Sequence, residues 1–313
     1  MLICSCNLPA IADGESKQQR PRLEEYLQQL GYYAVPLRRD DQNKLVARGI
    51  WGGKERKVLV DTGCSVTRVG QREARKLKKL SDLGAHLKDS ALGTITNTKG
   101  ILLYDLELGH AKFTNQPAWP AQLSSGVPGL ILGLDFFIRN HCLIDCLNCR
   151  LYVRAVPLST NAQAALRESL QRSGFHAVQF SDDPEPFATF DAEANGKKVR
   201  LLVDTGAVYS MFDDDVAKRL GLLITRTPLQ ARGVGKVGSH PFDLSVLKSF
   251  KVGDVEAKNT LIGVVPLEHW GLAEKTESLK EVDGLLGADW LGVNEAVIDF
   301  RGNRFWFRPP KKK

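Results

Sequence analysis

This chain repeats itself in register, and that limits its fold more than its composition does. Leu23-Glu24-Glu25-Tyr26-Leu27-Gln28-Gln29-Leu30-Gly31-Tyr32 is answered by Leu166-Arg167-Glu168-Ser169-Leu170-Gln171-Arg172-Ser173-Gly174-Phe175. Val60-Asp61-Thr62-Gly63 is answered by Val203-Asp204-Thr205-Gly206 at the same spacing. Further on, Ile131-Leu132-Gly133-Leu134-Asp135 matches Leu285-Leu286-Gly287-Ala288-Asp289, and Leu143-Ile144-Asp145 matches Val297-Ile298-Asp299, now at a longer common spacing. Two copies of one unit follow, with a net insertion in the middle of the second. A chain of 313 residues gives each copy enough length for its own core.

Each copy has the same order of predicted parts. Leu23, Tyr26, Leu27 and Leu30 make a helical stripe that Gly31 can stop. Two β-rich runs then flank a glycine turn, 44–51 and 56–60 around Gly52-Gly53, and 187–193 and 199–203 around Asn195-Gly196. Each hairpin ends on Asp-Thr-Gly. A short helix follows, better capped in the second copy, where Asp213 precedes Val216, Ala217 and Leu220. Glycine-bounded polar tips at 93–100 and 233–238 suggest surface hairpins, either ordinary ones or lids over a cleft. An apolar Gly-x-Asp segment, a short helix near 136–139 or 290–293, and a last hairpin close each unit. The expected layout is 1–19 as a leader or disordered N-terminus, 20–158 as the first unit, 159–308 as the second, and 309–313 as a basic tail.

One Asp-Thr-Gly alone reads as a turn, because Asp bonds nearby amides and Gly tolerates positive φ. Two of them, behind apolar strands at equivalent points of a duplicated unit, would meet across a two-fold axis with their carboxylates face to face. On Asp61-Thr62-Gly63 with Leu132-Gly133-Leu134-Asp135, and Asp204-Thr205-Gly206 with Leu286-Gly287-Ala288-Asp289, the chain resembles the retropepsin-like aspartic proteases. The resemblance runs from Arg20 to Arg308, with two units fused in one chain in the manner of pepsin-like enzymes. After the glycines, Cys64-Ser65 and Ala207-Val208 depart from the family's usual Ala-Asp or Ala-Ser, while the hydroxyls of Thr67 and Ser210 correspond.

The resemblance implies a mainly β, bilobal acid-protease-like fold with short helices in each β-rich unit. It implies catalytic Asp61 and Asp204 sharing one water, one carboxyl protonated and the other ionised, with no metal, cofactor or covalent intermediate. Thr62, Gly63, Thr205 and Gly206 would support the dyad. Val66, Ile95, Val208, Tyr209 and Val234 are candidate cleft walls for an extended protein or peptide substrate. A monomer with an intramolecular pseudo-dimer is expected. The competing readings are a non-catalytic peptide-binding protein that retains the duplicated fold, and units that pair between chains.

The net charge of +7 could point to nucleic acid, but the basic residues are dispersed apart from Lys311-Lys312-Lys313, and no nucleic-acid motif accompanies them. No nucleic-acid partner is expected. No apolar run approaches the roughly 18 residues that span a bilayer, so no stable membrane insertion is expected either. Residues 1–13 resemble the end of a secretory signal, with Ala10-Ile11-Ala12 as a small-x-small site but no basic start; a periplasmic or secreted location is favoured slightly over a cytoplasmic one. Beyond Cys4 and Cys6, the thiols of Cys64, Cys142, Cys146 and Cys149 could pair, stay free, or with His141 hold a metal, although their spacing matches no familiar zinc pattern.

Overall fold

The computed structural model describes residues 20–77, 82–89, 96–181, 187–233, 239–267 and 282–310. Each unit opens with its helical arm, Arg20–Gln29 or Thr160–Arg172, and the strand that follows, Tyr33–Arg39 or His176–Gln179. Both arms stop at a glycine in the left-handed region, Gly31 at φ +83° and Gly174 at φ +81°, where a Cβ would strain the backbone. Ser159 caps the second arm by accepting from the amide of Ala162.

The predicted hairpins are Leu45–Trp51 with Lys54–Val60, and Thr189–Ala194 with Lys197–Val203. Gly52 and Gly53 turn the first at φ +60° and +71°, and Asn195 and Gly196 the second at +50° and +76°. Two consecutive positive φ values match the right-handed twist of the flanking strands, so these turns fix the pairing. Other left-handed positions recur in the same way, as Gly109 and Gly253, Asn115 and Asn259, His141 and Glu295, Cys149 and Asn303. The backbone has kept the repeat where side chains have diverged.

The strand that delivers each aspartate pairs in parallel with the apolar strand ahead of the Gly-x-Asp segment, Leu59 with Ile131 and Leu202 with Leu285. After the aspartate the chain crosses that strand at close range. A Cβ on Gly133 would lie 2.5 Å from the carbonyl carbon of Val66, and one on Gly287 2.5 Å from that of Tyr209. Glycine there is a packing requirement. The following helices are Leu134–Arg139 and Ala288–Val293, each starting earlier than the sequence pattern suggests. In the first, the Asp135 carboxylate accepts from the amide of Phe136 and so supports the first turn.

Antiparallel pairing between strands Leu143–Asp145 and Val297–Asp299 joins the units, with Ile144 facing Ile298 on the pseudo-two-fold axis. The final hairpins and the first strand of each unit extend this pairing into one sheet, in the order 176–179, 304–307, 297–299, 143–145, 150–153, 33–39. Leu27, Leu166 and Leu170 from the two arms pack with Tyr152 and Trp306 in one apolar cluster over the sheet. Burying each such leucine contributes about 1.5–3 kcal/mol. Beyond it, the second unit closes a barrel from 189–194, 197–203, 284–286, 211–213, 255–265 and 243–252.

Strand register also locates the insertion. Ala121 pairs with Gly70 as Val265 pairs with Asp213, so the copies there still run nearly at the spacing of the two aspartates. The longer spacing is in place by Leu130 and Gly284, which hold equivalent positions ahead of the Gly-x-Asp segments. The extra residues therefore enter between Val265 and Gly284.

At the predicted tips, strand Thr96–Leu103 pairs with Asp82–Asp89, and Gln230–Ala231 with His240–Pro241. Ile95 and Val234 lie outside the described residues, as do 1–19 and Lys311-Lys312-Lys313. Among the described residues no helix is long and apolar enough to cross a membrane. The chain is thus mainly β, built from two homologous β-rich units with short helices.

Candidate active site

The two hairpins bring Asp61 and Asp204 together. Each aspartate continues its strand, with the amide of Asp61 donating to Leu132 O at 3.1 Å and that of Asp204 to Leu286 O at 3.0 Å. Their carboxyls hydrogen-bond to each other. The glycines meet the opposite carboxyls, since a Cβ on Gly63 would stand 2.5 Å from Cγ of Asp204 and one on Gly206 2.4 Å from Cγ of Asp61. Each glycine amide also donates to its own aspartate, Gly63 N to Asp61 Oδ1 at 3.0 Å and Gly206 N to Asp204 Oδ1 at 2.7 Å. Ala207 N gives Asp204 Oδ1 a further bond at 3.0 Å.

The threonines lock the two turns across the axis. Thr62 Oγ1 donates to Val203 O at 2.6 Å and accepts from Thr205 N at 3.0 Å. Thr205 Oγ1 donates to Val60 O at 2.8 Å and accepts from Thr62 N at 3.1 Å. Both side chains are buried, so four backbone groups at the unit interface depend on these two hydroxyls.

Burial raises the pKa of both aspartates, and for Asp61 the charge of Asp204 raises it further. Asp204 is opposed by the amides of Gly206 and Ala207, which favour its ionised form. Both shifts act against ionising the two acids together, so the pair keeps a proton.

Beneath the turns, a second aspartate in each unit orients the hydroxyl that follows. Asp135 Oδ1 accepts from Thr67 N at 2.7 Å and Thr67 Oγ1 at 2.8 Å, and Asp289 Oδ1 from Ser210 N and Ser210 Oγ, both at 2.8 Å. Those hydroxyls in turn accept from Gly133 N and Gly287 N. The sequence pairs these positions by register, and only packing ties them into one scaffold.

Of the candidate wall residues, Val66 and Val208 are half-buried just past the turns. Tyr209 is 47% exposed, with its ring 5.6 Å from that of Phe242.

Two polar residues escaped the sequence reading. Arg68 is 1% exposed and hydrogen-bonds Cys64, where the second unit has Met211. Lys44 acts on both carboxyls and lowers the pKa of each. Counting back through the Gly52-Gly53 turn would have found Lys44, because that turn sets it opposite Asp61.

Cys64, Cys142, Cys146 and Cys149 are free thiols, so no disulfide forms among them. Burial pushes Cys64 up to about 12 and raises the other three, leaving them protonated and inert near neutral pH. Cys149 occupies a left-handed turn position that Asn303 fills in the second unit, which accounts for its place in the hairpin. Among the described residues, the only group of three potential ligands within 4.8 Å of one another is Asp213, Asp214 and Asp215, the cap and first turn of the short second-unit helix, where Lys218 pairs with the last two.

A doubled strand-turn unit with two carboxyls joined across its axis defines the class of aspartyl proteases. The chain belongs to the aspartyl protease family, whose model matches residues 47–136 and again 190–290, each stretch containing one Asp-Thr-Gly. No curated protein matches the chain.

Proposed function

We propose that the chain is an aspartic endopeptidase, a single-chain pair of retropepsin-like units that hydrolyses peptide bonds with a water activated between Asp61 and Asp204. The observation that carries this reading is the crossed contact of each glycine with the opposite carboxyl, which holds the two acids at hydrogen-bonding distance. Like charges this close and this buried do not both ionise, so the pair keeps one proton.

Asp204, ionised and supported by the amides of Gly206 and Ala207, takes a proton from water as it attacks the substrate carbonyl. Asp61, protonated, donates to the carbonyl oxygen. As the tetrahedral intermediate collapses, Asp204 passes the proton that it took to the leaving amine, the C–N bond breaks, and Asp61 recovers its proton from the former carbonyl oxygen. Val66, Val208 and Tyr209 wall the cleft in this reading. Pairing of Leu143–Asp145 with Val297–Asp299 inside one chain favours a dyad formed within one monomer over one formed between chains.

The test is cleavage of an unfolded protein mixture from acid to neutral pH by the parent, Asp61→Asn and Asp204→Asn. Each single variant is expected to lose at least about a hundredfold in rate, as removal of a positioned acid or base does. Full activity in either variant refutes the shared dyad. A folded parent that binds peptides and never cleaves them favours the binding protein instead. Molar mass in solution separates a monomer from paired chains.

A further inference from the structure

The two halves of the site differ in charge at one equivalent position. In the first hairpin Val46 pairs with Leu59, and that register, continued two residues past the paired strands, sets Lys44 level with Asp61. In the second, Thr189 pairs with Leu202 and Val203 N donates to Ala188 O, and the same continuation sets Phe187 level with Asp204. Directly opposed residues of an antiparallel pair share a face. Val46 and Leu59 pack with Cys64 and Ile131, and Phe187 and Leu202 pack with Met211, Phe242 and Leu285. Lys44 and Phe187 therefore flank the carboxyl pair on the same face from opposite sides.

Phe187 is buried in its apolar cluster. Lys44 is half-buried and its ammonium enters no ion pair among the described residues. Its neighbours on the loop are otherwise engaged: Asp40 accepts from the amides of Gln42 and Lys44, and Arg39 bonds Asn43 and Cys146 O. A dyad that shares one proton carries one negative charge, which would repel an acidic substrate side chain. Among the described residues the Lys44 charge offsets it, and from the first-unit side.

We propose that Lys44 is a specificity-determining residue that makes the cleft select peptides with a glutamate or aspartate beside the scissile bond on the first-unit side. The proposal deepens the endopeptidase reading and rests on it for the cleavage step. An acidic side chain that enters there gains a charge-assisted contact in a partly desolvated site, whereas its amide analogue does not. Because Phe187 stands opposite, the preference has a direction along the peptide.

The experiment uses a pool of synthetic peptides in pairs that differ only by Glu or Gln at one position, with cleavage sites read by mass spectrometry. The parent is expected to cleave sites flanked by Glu about tenfold faster than their Gln partners, the scale of one charge-assisted bond. Lys44→Met should bring that ratio to one, and Lys44→Glu should invert it in favour of Lys-flanked sites, with unchanged circular dichroism in both. A parent ratio of one, or a ratio kept by Lys44→Met, overturns the proposal while cleavage itself stands. In a second arm, the same pairs are titrated onto Asp61→Asn. Tighter binding of the Glu member there, without any cleavage by the parent, upholds Lys44 and refutes the endopeptidase reading; equal binding overturns Lys44 independently of catalysis.

Discussion

Replacing Thr205 by valine keeps the side chain's shape and removes its oxygen, which isolates the hydrogen bonds that tie the units together. The hydroxyl serves Val60 O at 2.8 Å and Thr62 N at 3.1 Å, at a position 1% exposed, so water cannot take its place. Two buried backbone groups lose their partners, at about 1–3 kcal/mol each, for a total of about 2–6 kcal/mol. That is a large part of the roughly 5–15 kcal/mol by which a native protein is stable. Thr205→Ser keeps the hydroxyl and loses one methyl, at about 1 kcal/mol. By the pseudo-symmetry, Thr62→Val should cost nearly as much as Thr205→Val, since its oxygen serves Val203 O and Thr205 N in the same way. Urea unfolding at fixed pH, compared through midpoint and slope, gives the three values. A Thr205→Val protein within about 0.5 kcal/mol of the parent, well short of two orphaned buried groups, would refute the reasoning. So would a serine variant as costly as the valine one.

The raised pKa of Asp61 fixes a second outcome by linkage. Folded Asp61, pushed up to about 8, keeps a proton that the unfolded chain releases near 4, so the native state binds more protons between those limits. Stability from this group is complete below about pH 4 and is lost as pH rises through about 8. Asp61→Asn, which mimics the protonated acid, should flatten that decline in the urea midpoint; an unchanged slope would show that the proton is held elsewhere. Gly63→Ala drives a methyl to 2.5 Å from the Asp204 carboxyl carbon, and Gly206→Ala one to 2.4 Å from that of Asp61. Each should cut cleavage by about a hundredfold with an unchanged circular dichroism spectrum, because a displaced carboxyl loses its alignment. Undiminished activity in either would mean that the carboxyls are not in contact as described.

Much of this architecture is legible in the chain because its determinants are local. Gly31 and Gly174 end helices, Gly52-Gly53 and Asn195-Gly196 turn hairpins, and short apolar runs mark the strands that lead to Asp61 and Asp204. The helical arms and the Asp-Thr-Gly turns repeat at one common spacing, which makes those two aspartates partners on the sequence alone. The insertion is legible there only as a change of spacing, and strand pairing is needed to set it between Val265 and Gly284. The cysteines near His141 invite a pairing or metal reading, yet burial and turn geometry account for them as free thiols.

Duplication, the order of strands and turns, and the pair of acids are properties of the linear chain, because short-range periodicity, turn chemistry and register are written along it. Only folding set which carbonyls Thr62 and Thr205 would reach, that Asp135 and Asp289 would hold Thr67 and Ser210, and that Arg68 would be buried where its counterpart is Met211. The hairpin turns set Lys44 level with Asp61 and Phe187 level with Asp204, and only folding brought the two hairpins to one pair of acids. The threonine bonds depend on how the two copies close against each other, and the others on packing inside one copy. Both arise from contacts between residues far apart in the chain, which no local pattern encodes.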